Sequence, residues 1–331
     1  MIRRTRLLTS LPLLLLTSAL SVPATQAADL PKAPECIAPA NPGGGWDFTC
    51  RTVGQLLSTL SYVKGNVQTV NMPGASGGVA YANIVSKRNS DPNVVVAAST
   101  ATTTRLAQGQ FPGMNAEMVK WVGALGADYG VIAVGKNSPY QDLKQLMAAL
   151  QTDPNSVKFA GGSASGGWDH LKVLLAAKAA GVSGLAKIKY LAFNGGGEAM
   201  TQVLGGHIDA FTGDVSEVLG FMQSGDLRVL AVLSDKRLPA PYDTLPTAAE
   251  QGIDTVAPNW RGFYIPGGVS DQEYQWWTAT LDSLYASPAW KQTMAENGLM
   301  PFHKVGADFD GFVKQQISQI TDLSREIGLI K

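Results

Sequence analysis

Short β-branched runs alternate with longer amphipathic stretches through almost the whole chain, and that alternation narrows the possible folds more than any other feature. Candidate strands fall at residues 35–39, 66–70, 93–98, 130–134, 157–160, 187–190, 209–212 and 228–233. Between them the spacing predicts helices over 46–60, 78–86, 140–151, 168–180, 197–204 and 215–224. Strands separated by helices imply βαβ units, and those give mostly parallel sheets covered on both faces. The chain therefore reads as α/β. Gly181, Gly205-Gly206 and Gly225 stand where helix C-termini need a left-handed residue. Pro239, Pro241, Pro246 and Pro258 mark an irregular connection, followed by the aromatic run 260–266 and helices over 271–286, 288–297 and 307–327. With 331 residues, 45% hydrophobic and 16% charged, there is enough chain for two well-cored domains.

The N-terminus carries a different signal. Arg3, Arg4 and Arg6 precede the apolar run 7–22, which Pro12 interrupts, and Thr25-Gln26-Ala27 supplies a small-residue end. That is the pattern of a secretory leader over residues 1–27, too short to span a bilayer. Three arginines leave with it, which takes the balance of 26 basic and 26 acidic residues to a net −3. A mildly acidic product without clustered Lys and Arg has no footprint for nucleic acid. Export to an oxidising compartment permits a bridge between Cys36 and Cys50, worth roughly 3 kcal/mol by loop entropy; two buried thiols are the alternative. Those cysteines with His170, His207 and His303 do not form a zinc set, so no metal is expected. His170 and His207 read as surface residues.

The chemistry concentrates in glycine-rich loops that open helices. The first is Asn41-Pro42-Gly43-Gly44-Gly45-Trp46-Asp47, and the second is Gly161-Gly162-Ser163-Ala164-Ser165-Gly166-Gly167-Trp168-Asp169. Each follows a strand and presents backbone N–H groups at the positive end of a helix, a setting that suits a carboxylate. Tight turning alone is the plainer explanation for either loop; two of one design suggest a ligand held from both sides. Trp46 and Trp168 follow the two loops and either wall a cleft or pack onto their sheets. A third loop, Phe193-Asn194-Gly195-Gly196-Gly197-Glu198, offers the Asn194 amide. The fourth, Asn71-Met72-Pro73-Gly74-Ala75-Ser76-Gly77-Gly78, contains G-x-S-x-G, which keeps a Ser76 hydrolase as a remote alternative. The dinucleotide fingerprint fails because Phe48 and Met200 occupy its last glycine positions.

Taken in order, Pro42-Gly43-Gly44-Gly45-Trp46-Asp47, the 71–78 turn, Tyr190 with the 193–197 loop, and Leu245-Pro246-Thr247-Ala248-Ala249-Glu250 resemble the substrate-binding proteins of tripartite tricarboxylate transporters, the Bug receptors. The resemblance implies a two-domain periplasmic binding protein of the type II, Venus-flytrap kind, with a ligand cleft between the domains. Domain one would comprise 28–131 plus 264–331, and domain two 132–263. It implies a non-enzymatic monomer without cofactor that hands its solute to membrane permease subunits. Ligand contacts carried over are Gly43, Gly44, Gly45, Trp46 and Asp47 from loop one, with Ser163, Ala164, Ser165, Gly166 and Gly167 from loop two. Ser99, Thr100, Asn194 and Asp214 complete the set. The second loop and the Cys36/Cys50 pair resemble the tricarboxylate branch, which makes citrate or a related acid the expected ligand. Neutral amides and hydroxyls would hold it, with Ser99, Thr100, Thr102, Thr103 and Arg105 supplying donors for a third carboxylate and most basic residues bystanders. Asp214 pulls the other way and keeps a dicarboxylate, an amino acid or an aromatic acid open, as is a role as a sensor.

Overall fold

A computed structural model describes Pro31 and residues 34–331; the leader assigned to 1–27 lies outside the described residues. The chain begins with β1 (Glu35–Ala38), α1 (Gly45–Thr59), β2 (Gln68–Asn71), α2 (Gly78–Lys87), β3 (Val94–Ser99) and α3 (Thr100–Ala107). One long strand, β4 (Val119–Gly135), leads to α4 (Leu143–Thr152), β5 (Lys158–Gly161), α5 (Trp168–Ala179), β6 (Lys189–Ala192), α6 (Gly196–Leu204), β7 (Ala210–Asp214), α7 (Val215–Gln223) and β8 (Leu227–Val232). The chain returns through β9 (Pro258–Pro266) to α8 (Asp271–Ala286), α9 (Pro288–Glu296), β10 (Lys304–Val305) and α10 (Gly306–Glu326).

The strands run β2-β1-β3-β9-β4-β7-β5-β6, with β8 and β10 also paired to β4. On one side β1 pairs parallel with β2 and β3, and on the other β5 pairs parallel with β6 and β7, as helical crossovers require. The antiparallel strands β4 and β9 join them. From Val119 to Tyr129, β4 pairs with β9; from Gly130 onward it pairs with β7 and β8. One strand is thus the common rib of two halves.

Side chains alternate across this rib and fill a core on each face. Val131 and Ala133 enter one cluster with Phe211 and Met200, while Ile132 and Val134 enter another with Phe159 and Leu171. In the other half, Cys36 and Ala38 of β1 face α1 and α8 residues, and Ile37 faces Tyr81 and Ile84 of α2. Helix α10 serves both halves: Phe309 and Val313 pack in the first, and Ile320 in the second.

Three elements differ from the sequence reading. The strand expected at 130–134 starts at Val119, because Gly123, Gly126 and Asp128 weaken its strand signal while two bulges absorb its irregular register. Strand β9 begins at Pro258, inside the stretch read as irregular; a Cβ on Gly262 would lie 2.5 Å from Gly123 O, so both sequence weaknesses mark one close backbone approach. Residues 100–107, read only as a donor supply, form α3, capped by the Ser99 hydroxyl on Ala101 N–H. Their four threonines hide the helix from a propensity argument.

Cys36 and Cys50 form a disulfide with Cα atoms 5.5 Å apart. It ties α1 to β1 across the loop that carries Gly43, Gly44 and Gly45, fixing how that loop enters the helix.

Candidate functional site

The glycine loops meet because their backbones approach more closely than side chains allow. Asn41 N–H donates to Asn194 O at 2.8 Å. A Cβ on Gly162 would stand 2.6 Å from Gly196 N, and one on Gly44 3.4 Å from Gly195 Cα. Further bonds tie loop two to the first half: Ala164 N–H donates to Ser76 Oγ, Arg105 Nη1 to Ser165 O at 3.3 Å, and Gln108 Nε2 to Gly166 O at 2.7 Å. The loops enclose a cavity of about 40 Å³. That is room for water, well short of a small-molecule site.

Six of the expected contacts line the cavity: Gly44, Gly45, Trp46, Ser99, Ser163 and Asp214. Trp46 is a wall, its Nε1 donating to Ser99 Oγ at 3.1 Å. The others are placed elsewhere. Gly43 N–H donates to Asp47 Oδ2 at 3.0 Å, and Asp47 also accepts from Arg51 and Asn71, so its carboxylate is spent inside the first half. Those donors outweigh burial and hold the Asp47 carboxyl below its ordinary range. Thr100 Oγ1 donates to Pro258 O at 3.2 Å, and Thr103 Oγ1 to Gln316 Oε1 at 2.7 Å, which occupies hydroxyls expected to be free. Ala164, Ser165, Gly166, Gly167 and Asn194 are not among the cavity walls. Instead Gly166 N–H donates to His170 Nδ1 at 2.9 Å, and Gly167 N–H to Ala164 O at 2.8 Å, turning the loop in on itself. Trp168 joins the core of the second half.

His170 is buried, not on the surface, and stacks on Tyr190 with ring centres 4.6 Å apart. Burial pushes its pKa down to about 4. Ser76, the nucleophile of the hydrolase alternative, accepts from Ala164 N–H, and among the described residues no His, Asp or Glu is hydrogen-bonded to its hydroxyl.

The sequence reading missed the charged floor. Arg261 of β9 lines the cavity, 2% exposed, and its Nη2 contacts Asp128 Oδ2 at 2.6 Å and Asp214 Oδ2 at 2.9 Å. Lys172 of α5, fully buried, contacts Asp169 at 2.9 Å, Asp214 at 2.6 Å and Gly213 O at 2.8 Å. Glu217 of α7 reaches across the cleft, its Oε1 accepting from Gly45 N–H at 3.1 Å and its Oε2 from Asp214 N–H at 3.0 Å. An internal carboxylate thus uses a loop-one amide that the sequence reading assigned to the ligand.

Two cations here face four acids, Asp128, Asp169, Asp214 and Glu217. Burial alone would raise Asp214, but Lys172 and Arg261 outweigh it and keep that carboxyl ionised. Glu217 has weaker compensation: burial, then Asp214 and Asp169, push it up to about 8. Asp128 is raised by burial although Arg261 offsets part of the penalty. The available signal was the run Trp260-Arg261-Gly262: an arginine inside an aromatic strand is buried with partners or aimed at a ligand.

A family model described as "Tripartite tricarboxylate transporter family receptor" matches residues 60–329. The chain belongs to that family. Protein BugT of Bordetella pertussis is 26% identical over 329 residues, covering 98% of each chain. Among solved structures, R. palustris Rpa4515 with adipate superposes with a TM-score of 0.81 at 19% identity, covering 89% of this chain and 97% of that one. MatC of Rhodopseudomonas palustris with bound malate gives 0.75 at 17%, covering 88% and 98%. These likenesses establish the α/β periplasmic-binding-protein fold for this member of the receptor family. Among the described residues, no helix is long and apolar enough to cross a membrane.

Proposed function

We propose that this receptor binds a small carboxylate in the periplasm, with citrate or a related tricarboxylate first in line, and delivers it to the membrane subunits of a tripartite tricarboxylate transporter. The observation that carries the reading is a small cavity between two β-sheet halves, walled by helix N-termini and floored by the buried Arg261. Arg261 is the group most able to hold a carboxylate by charge-assisted bonds. The two sheet halves act as the domains 28–131 plus 264–331 and 132–263, and closure follows when a ligand bonds to both. A cavity of about 40 Å³ requires them to part before a six-carbon acid enters. The leader over residues 1–27, with Arg3, Arg4 and Arg6 ahead of its apolar run, directs the chain to the periplasm.

The four acids favour a second reading, in which the ligand is a dicarboxylate or an amino acid. Adipate and malate stand on the solved relatives, not on this chain. Mass spectrometry of solute released by denaturing freshly purified protein separates these readings. An organic acid at near-equimolar amount supports the carboxylate; a released solute without any carboxyl group refutes it.

A further inference from the structure

The polar atoms around the cavity are unevenly matched. Residues 259 and 261 of β9 are two apart and share one face of the strand, and both line the cavity. Asn259 is 3% exposed and Arg261 2%. Asn259 Nδ2 donates to Asp214 Oδ2 at 2.6 Å, which fixes the amide, since a flipped group would set oxygen against carboxylate. Its Oδ1 is left as a buried acceptor with no donor among the described residues, and Arg261 Nε is a buried donor with no acceptor. Buried orphans of both kinds are costly, and on one cavity wall they describe what a ligand has to supply.

A plain carboxylate answers only half of this wall. It satisfies the guanidinium but brings no proton to Asn259 Oδ1. We infer that the receptor selects acids carrying a hydrogen-bond donor, a hydroxyl or an ammonium, on the carbon next to a carboxylate. Arg261 takes the carboxylate; Asn259 Oδ1 takes the donor. The inference rests on the carboxylate reading and narrows it.

The test uses pairs of acids that differ by one group, titrated calorimetrically into the full mature chain: malate against succinate, and citrate against its deoxy analogue. Aspartate beside malate distinguishes ammonium from hydroxyl. The donor-bearing member binds about tenfold tighter or more, the factor of one net hydrogen bond in a charged setting. Equal affinities within each pair overturn this inference and leave the carboxylate reading standing; binding by none of the acids overturns both. In Asn259→Leu, verified as folded by its melting curve, malate falls toward the succinate value while succinate is little changed. A malate preference that survives the substitution removes Asn259 from the selection.

Discussion

Gly45→Ala places one methyl group against the charged floor, and the result depends on whether Arg261 can yield. The added Cβ stands 2.3 Å from Arg261 Nη1, 2.7 Å from Nη2 and 2.8 Å from Cζ. The far end of a long side chain normally moves aside at little cost. This one is held by Asp128 at 2.6 Å and Asp214 at 2.9 Å, with both carboxylates themselves buried. At the start of a helix, Gly→Ala would otherwise gain up to about 1 kcal/mol. Breaking a buried ion pair costs about 3–5 kcal/mol, and a partial shift a fraction of that. The net expectation is a loss of about 2–4 kcal/mol, read as a fall in Tm of roughly 4–8 °C. Urea unfolding followed by circular dichroism measures it. A variant as stable as the parent would refute the reasoning, because Arg261 would then be free to move and its ion pairs would not fix the floor.

Gly311→Ala is the matched control: Gly311 lies inside α10 with nothing within 4 Å of an added Cβ, so it should stabilise by about 0.5–1 kcal/mol, and a loss would show that helix to be strained there. Lys172→Met leaves Asp214 and Asp169 without their shared ammonium and should cost about 3–5 kcal/mol in urea unfolding; a cost below about 1 kcal/mol would mean the acids are neutral or solvated. Acid should weaken the fold through His170. Its folded pKa, about 4, lies below the unfolded value of 6.5, so the unfolded chain binds the extra proton. That contribution is intact above pH 6.5 and fades as pH falls toward 4, the loss reaching about 2 kcal/mol by pH 5. His170→Gln should flatten the Tm difference between pH 7.5 and 5 relative to the parent; an unchanged slope would put the titration elsewhere.

The layered α/β plan was legible because its carriers are local. Alternating Val and Ile runs, glycines at 181, 206 and 225 with positive φ, and a proline opening α9 each act within a few residues. The glycine loops were legible for the same reason, although their purpose reads differently in three dimensions. Gly44 and Gly162 let backbones touch, and several loop amides satisfy partners inside the protein. The charged floor was hidden because its members lie far apart in sequence: Asp128, Lys172, Asp214, Glu217 and Arg261 meet only when β4, β7 and β9 are laid side by side. Asp214 alone looked like an acid in a cleft. With Lys172, Arg261 and Asn259 around it, it is the anchor of a network.

Calorimetric titration of the mature protein, stripped of solute by unfolding and refolding, with citrate, malate and adipate tests the carboxylate receptor most directly. A saturable heat at one ligand per chain for at least one of these acids, abolished in Arg261→Met, is the expected result. No heat from any of them, or binding untouched by the loss of Arg261, would contradict it.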